Sequence, residues 1–203
     1  MVPHSLYDVL WGLGPLPLEL RLAENRRSLT QFMESRVGYS YHTHRQLLLS
    51  AGQAADYIYY VENGLVRGYY YDKQKNTQYT VSLWDEHSFI TEPNSFFNKQ
   101  PSELSIEVMP ESTLLFLSGQ HLSEIYKAFP YTEVFSRCLM LQYIAYHSQR
   151  TRDLISLSAW ERYLALLRKQ PQIEQKISKE IIASYLGITP QSLSRLIKLN
   201  GHP

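Results

Sequence analysis

A single cysteine, Cys138, stands among the 203 residues. Neither an internal disulfide, a cysteine-rich zinc site nor a four-thiolate iron–sulfur cluster can therefore be built from one copy of this chain. Charge is also scarce. Asp, Glu, Lys and Arg make up 19% of the residues and apolar types 44%, against the usual ~25% charged, which is the balance of an ordered globular chain and not of a disordered tail. Long hydrophobic runs are missing: the greasiest stretch, Leu139 to Tyr146, is interrupted by Gln142 and falls far short of the ~18 apolar residues of a membrane span. The start, Met1-Val2-Pro3-His4-Ser5, has no basic run followed by an apolar core and a small-residue cleavage site, so no secretory signal, no membrane partner and a cytoplasmic location are expected. No Gly-rich phosphate loop, nucleophile elbow or paired-carboxylate motif is visible; the chain is expected not to be an enzyme, and no cofactor is expected.

What is present is unevenly charged. The net charge is +1, yet from Ser156 onward seven cations (Arg162, Arg168, Lys169, Lys176, Lys179, Arg195, Lys198) meet only Glu161, Glu174 and Glu180, leaving +4 there and −3 in residues 1–155. A small basic end on a mildly acidic body fits a polyanion-binding module attached to a sensor. The length allows one large domain or two small ones, and no repeats or low-complexity segments interrupt it.

A polar helical stretch runs from about Leu18 to Met33, followed by short strands rich in aromatics. Tyr57 to Val61 and Leu65 to Tyr71 flank Glu62-Asn63-Gly64, and Asn-Gly between two β-prone runs predicts a tight hairpin. Tyr79 to Leu83, Leu104 to Val108 and Leu114 to Leu117 complete a series of period-two runs with turn residues between them. That series predicts a β-sandwich or jelly roll with a ligand-sized interior.

At Ser118 the period becomes helical. A short helix, Gln120 to Ala128, stops before Pro130, and from Tyr131 to about Leu157 no Gly or Pro intervenes. Val134, Cys138, Leu141, Ala145, Ser148, Arg152 and Ile155 fall at alternating steps of four and three, a coiled-coil seam that favours a symmetric dimer helix over a long helix packed on its own barrel. Ser158-Ala159-Trp160-Glu161 reads as a capping box, and Pro171 ends the helix it opens. The next helix starts with Ser178 as N-cap and breaks at Gly187; Thr189 caps the last, with Pro190 in its first position and an Ile188–Leu193 hydrophobic staple. Two helices meeting across Gly187-Ile188-Thr189 make a helix-turn-helix signature.

In such a motif the second helix enters the major groove by its N-terminal residues. Gln191 can pair with adenine, Arg195 can fork onto guanine and Ser192 is permissive, so these three are the candidate base readers. Ser178, Lys179 and Thr189 at helix N-termini, with Lys198 one turn beyond Arg195, are the candidate phosphate contacts. Double-stranded DNA is the expected partner.

These residues also carry a resemblance. Ile182-Ala183-Ser184-Tyr185-Leu186-Gly187-Ile188-Thr189-Pro190-Gln191-Ser192-Leu193-Ser194-Arg195 resembles the DNA-binding signature of the CRP/FNR family, in the version common in Bacteroidetes-type regulators. Glu62-Asn63-Gly64-Leu65-Val66-Arg67 resembles the family's EGLVR segment, Asp85 to Phe97 falls where its ligand loop lies, and Trp160-Glu161-Arg162-Tyr163 resembles its linker. The resemblance spans about residues 20 to 199. It implies an α+β fold: a cyclic-nucleotide-binding-like jelly roll (double-stranded β-helix) over 1–130, a dimerisation helix over 131–157 containing Val134, Cys138, Leu141 and Ala145, and a winged helix-turn-helix over 158–203 whose wing is short or missing. It further implies a homodimer and contact with RNA polymerase.

The ligand loop departs from the cyclic-nucleotide binders, whose pattern is Phe-Gly-Glu and then Arg-Ser/Thr-Ala. Here Phe89-Ile90-Thr91-Glu92 opens the loop and Ser102-Glu103-Leu104 stands where Arg-Ser-Ala would. Glu92 stands in for the ribose-binding acid, but the phosphate-clamping Arg is gone and Glu103 puts a carboxylate where an anion should bind. The pocket of Phe89, Thr91, Glu92, Ser102 and Glu103 is therefore read as degenerate, and cyclic AMP as not bound. Two other classes fit parts of the pattern. His42-Thr43-His44 on a strand would suit a cupin metal site, but no carboxylate follows at the required spacing; a barrel that serves only protein interaction would keep the dimer helix and lose DNA.

Overall fold

The computed structural model describes residues 2–201. Its strands are β1 (Gly38–His42), β2 (Gln46–Leu49), β3 (Tyr57–Asn63), β4 (Val66–Asp72), β5 (Thr77–Trp84), β6 (Phe89–Ile90), β7 (Ser105–Val108) and β8 (Ser112–Ser118). They pair antiparallel as β1 with β8, β2 with β7, β3 with β6 and β4 with β5, in two four-stranded sheets ordered β1-β8-β3-β6 and β2-β7-β4-β5. That nesting of outer around inner pairs is a jelly roll. Leu49, Val61, Val66, Trp84, Ile106 and Leu114 form the core of this roll.

The tight hairpin expected at Asn63-Gly64 does not form. β3 pairs with β8 and β6, and β4 pairs with β5 and β7, so residues 64–65 carry the chain from one sheet to the other. The Gly is needed for a different reason. Its φ is +103°, and a Cβ there would lie 2.2 Å from Ser112 Oγ, the hydroxyl that accepts a hydrogen bond from Leu65 N–H at 3.1 Å. The hairpin signal failed because two strands that each read as β-prone had better partners later in the chain. The turn that does close a hairpin is Asp72–Thr77, where the Asp72 carboxylate accepts from the backbone of Gln74 and Lys75 and Asn76 takes a left-handed φ of 49°. Gly64→Ala should therefore destabilise the protein by about 2–3 kcal/mol in urea titration, from left-handed strain plus the clash; a loss under about 0.5 kcal/mol would contradict this account.

Helices cover the outer face of the β1-β8-β3-β6 sheet. α1 (His4–Gly12) was not expected, although Leu6, Tyr7 and Leu10 at helical spacing point inward. The expected helix over Leu18–Met33 is broken at Leu22 into a 3₁₀ turn, Leu18–Arg21, and α2 (Ala23–Glu34). α3 (Pro93–Asn98) lies in the ligand loop, and α4 (Gly119–Ala128) is capped by Ser118, which accepts from His121 N–H.

The long helix α5 (Glu133–Ser156) has 24 residues, about 36 Å, after a 3₁₀ turn at Pro130–Thr132. Its expected seam is split. Val134 and Cys138 pack into the cluster formed with α1 and α2, Cys138 donating to the Leu13 carbonyl at 3.6 Å, so they face their own chain; Leu141 onward points to solvent.

α6 (Ala159–Lys169), a short turn α7 (Ile173–Lys176), α8 (Lys179–Leu186) and α9 (Pro190–Asn200) form the C-terminal part. No strand follows α9 among the described residues, so no wing is seen; His202 and Pro203 lie outside them. Tyr163, Leu166, Ile173, Ile182, Leu186 and Leu193 build its core, which also takes in Leu65, Leu83 and Met109 of the roll.

Candidate nucleic-acid interface and sensor pocket

The α8–α9 pair is fixed by its ends. Ser158 and Glu161 make the reciprocal capping box of α6. Ser178 accepts from Ile181 N–H, Gly187 turns the chain at φ 70°, and Thr189 accepts from Ser192 N–H with Pro190 at the first position. Leu193 is fully buried and Ile188 packs on the same cluster, as a staple requires.

The opposite face of α9 is open. Gln191, Arg195 and Lys198 are exposed on successive turns of the helix, and Lys179 is exposed at the start of α8. Among the described residues Lys179, Arg195 and Lys198 make no ion pair, whereas Lys176 is held by Glu86 at 3.6 Å. Ser192 differs from the other candidate readers: it is half-buried and its hydroxyl accepts from that of Thr189 at 3.0 Å. The Ser178 hydroxyl is likewise occupied, since its hydrogen bond to Glu180 holds that carboxyl below its ordinary range. Gln191, Arg195, Lys179 and Lys198 are thus the side chains left free to reach a ligand.

The five residues of the expected sensor pocket do not converge on one cavity. Phe89 and Thr91 line a space of about 200 Å³ between the roll and α5, while Thr91 and Glu92 line a separate cleft beside Leu49, Gln53 and Tyr59. Ser102 is buried and spends its hydroxyl on Leu104, donating to the carbonyl at 2.7 Å and accepting from the N–H at 3.1 Å; Glu103 is exposed. Glu92 is the N-cap of α3, accepting from Ser95 N–H at 2.6 Å. The surroundings are anionic. Burial first, then the Glu103 and Glu92 carboxylates, push the Tyr70 hydroxyl above its ordinary pKa, and Glu92 does the same to Tyr143 after burial.

The two histidines are set apart by their surroundings. His42 ends β1 with its ring nitrogens against Gln46 and Ser40, at 3.0 and 2.9 Å. His44 lies beyond the strand, exposed and bonded to Thr43. No group of three metal-ligating residues is found among the described residues.

Several residues that sequence reasoning missed fasten the C-terminal helices to the roll. The Ser184 hydroxyl of α8 accepts from Thr80 N–H and donates to the Gln78 carbonyl, both at 2.8 Å. Tyr146 of α5 accepts from Leu83 N–H and meets the Tyr185 hydroxyl, each at 3.3 Å; burial drives its pKa far upward. Beneath Ser184, Arg67 pairs with Glu107 at 2.7 Å and donates to Thr80 and Gln78 at 2.9 Å.

Against known families, residues 41–129 match the cyclic nucleotide-binding domain. The matched stretch runs from β1 to just past the end of α4. Around it, the fold is that of solved regulators. The c-di-GMP-responsive global regulator CLP of Xanthomonas campestris superimposes with a TM-score of 0.67 at 14% identity, over 85% of this chain and 90% of the other. FixK2 of Bradyrhizobium japonicum gives 0.67 at 14%, over 80% and 83%. A transcriptional regulator assigned to the CRP/FNR family from Eubacterium rectale gives 0.68 at 15%, over 91% and 86%. No curated protein matches the sequence. The stretch similar to the cyclic nucleotide-binding domain is therefore set in a fold shared with these solved regulators, and no helix among the described residues is long and apolar enough to cross a membrane.

Proposed function

We propose that the chain is a homodimeric, sequence-specific DNA-binding transcription regulator of the cytoplasm, without enzymatic activity, whose sensor domain does not take cyclic AMP. The observation that carries this reading is the open face of α9: Gln191, Arg195 and Lys198 are exposed and Arg195 and Lys198 are free of ion pairs among the described residues, behind a helix junction capped at both N-termini. Arg195 and Gln191 reach base edges; Lys179 and Lys198 hold phosphate. The dimer uses the outer face of α5, where Leu141 is 61%, Ile144 58% and Ile155 82% exposed. Shifting the two long helices against each other re-spaces the two recognition helices toward one DNA turn, about 34–36 Å, by a shift of populations. RNA polymerase is the partner that DNA-bound regulator would engage.

The two cations have different tasks. Arg195→Ala should cost about 1–3 kcal/mol on a specific site and relax preference at one base pair of each half-site. Lys179→Ala should weaken binding to all sequences alike and flatten the log K against log salt slope by about 2 per dimer. Titrations on promoter fragments and random DNA across a salt series read both. Wild type without sequence preference on any promoter DNA, with or without cell extract, would replace this reading with the protein-interaction module.

A further inference from the structure

We propose that Arg162 is a positioning residue that fixes the separation of the two half-sites accepted on DNA; this rests on the reading of the chain as a dimeric DNA-binding regulator. The last turn of a helix leaves carbonyls without N–H partners. α5 and α8 end beside each other in that state. The Ser158 N–H that would continue α5 onto the Leu154 carbonyl goes to the Glu161 carboxylate, and at the end of α8 the Gly187 N–H turns back to Ala183 and Ser184. Arg162, near the start of α6, serves both ends. Its Nε donates to the Leu186 carbonyl of α8 at 3.0 Å, and its Nη1 donates to the carbonyls of Leu157 and, at 3.4 Å, Leu154 at the end of α5.

One planar cation thus joins the C-terminal ends of two helices, where positive charge also suits both helix dipoles. The ends touch directly as well: a Cβ at Gly187 would lie 3.3 Å from Leu154 Cδ2. A second arginine braces the same corner. Arg150 of α5 lies over the Tyr185 ring at 3.8 Å, and its charge, after burial, lowers the Arg162 pKa. Two guanidiniums from different helices therefore grip adjacent residues of α8. A flat fork bonded to three carbonyls tolerates little rotation, whereas a lysine offers one point charge.

α8 and α9 turn as a unit, because Leu186 and Leu193 share one core across the turn between them. The angle held at Arg162 is then the angle at which α9 meets DNA. In the proposed dimer that angle counts twice. A base pair is about 3.4 Å along the duplex, a tenth of its turn of about 34–36 Å, so a small rotation at each corner moves the recognition helices apart by a base pair.

Selection of the full chain against a random DNA pool, read by sequencing, reports half-site sequence and separation together. Wild type should enrich one half-site sequence at one separation. Arg162→Ala and Arg162→Lys should enrich the same half-site over a spread of separations. Their affinity for the wild-type site should fall about tenfold, as the fraction of correctly set dimers drops to about a tenth. A role in stability alone would weaken every site and leave the single separation in place. Circular dichroism checks the fold, and Arg162→Lys carries the test if Arg162→Ala unfolds. A single separation kept by every folded variant, a changed half-site sequence, or several separations with wild type would overturn the assignment and leave the regulator standing. No enriched sequence with wild type would overturn the regulator reading, and the assignment with it.

Discussion

Leu141→Asp should convert the proposed dimer to monomers in light scattering at micromolar concentration. Leu141 is 61% exposed on a single chain, so the substitution changes the fold's own stability little, within about 0.5 kcal/mol. In a symmetric helix pair the position meets its own copy, and two carboxylates are desolvated with no cation opposite. Ile144 and Ala145 beside it carry no charge, and Arg137, one turn earlier, is exposed and solvated. Several kcal/mol lost on this scale weakens association by about three orders of magnitude or more. DNA affinity should fall with it, because one recognition helix no longer brings a second to the next half-site. A monomeric wild type, or an Asp variant that stays dimeric, would remove α5 as the interface.

Arg67→Ala should be the most damaging single truncation in the roll. Arg67 is 2% exposed and Glu107 7%, and removing one partner of a buried pair leaves an uncompensated charge at a cost of about 3–5 kcal/mol. The remaining cation, Arg45, sits 3.8 Å from Glu107 but is itself 59% exposed, and a solvated pair of that kind contributes under ~1 kcal/mol. Thr80 and Gln78 lose a donor in the same step. Arg67→Met combined with Glu107→Leu should restore most of the loss, since well-packed apolar replacements of a buried pair are often near neutral. Urea unfolding of wild type, single and double variants decides this. A single-variant loss below about 1 kcal/mol, or a double variant no better than the single, would show that the pair is not what holds this face.

The caps were legible because they are local. Ser158 with Glu161, Ser178, Gly187 and Thr189-Pro190 each act within four residues, and all of them stand where the sequence placed them. The strands at Tyr57, Val66, Thr77, Ser105 and Ser112 were legible by alternation. Partner choice was not, since nothing within residues 57–71 says that β3 will take β8 and β4 will take β5 and β7. The seam on α5 failed in part for a related reason: heptad spacing shows that Val134 and Cys138 share a stripe with Leu141, but α1 and the loop at Leu13 cover the first two. α1 itself was within reach, its Leu6, Tyr7 and Leu10 being spaced as a helix requires. At the sensor, the missing Arg was readable, while the cavity that Phe89 and Thr91 share with Tyr143 and Tyr146 depends on how α5 crosses the roll. Ser184 gave no signal at all, because a serine on a helix face is ordinarily a solvated one.

That serine has a cost once the helices move. β5 is the edge of its sheet, and Ser184 occupies the outward N–H of Thr80 and the carbonyl of Gln78, much as natural proteins cover sheet edges to keep other chains from adding a strand. Whenever α8 lifts from the roll, those two backbone groups are left open beside exposed Tyr70, Tyr71 and Tyr79. An undocked conformation should then be less soluble than the docked one, the bare edge offering a place for another chain to add a strand.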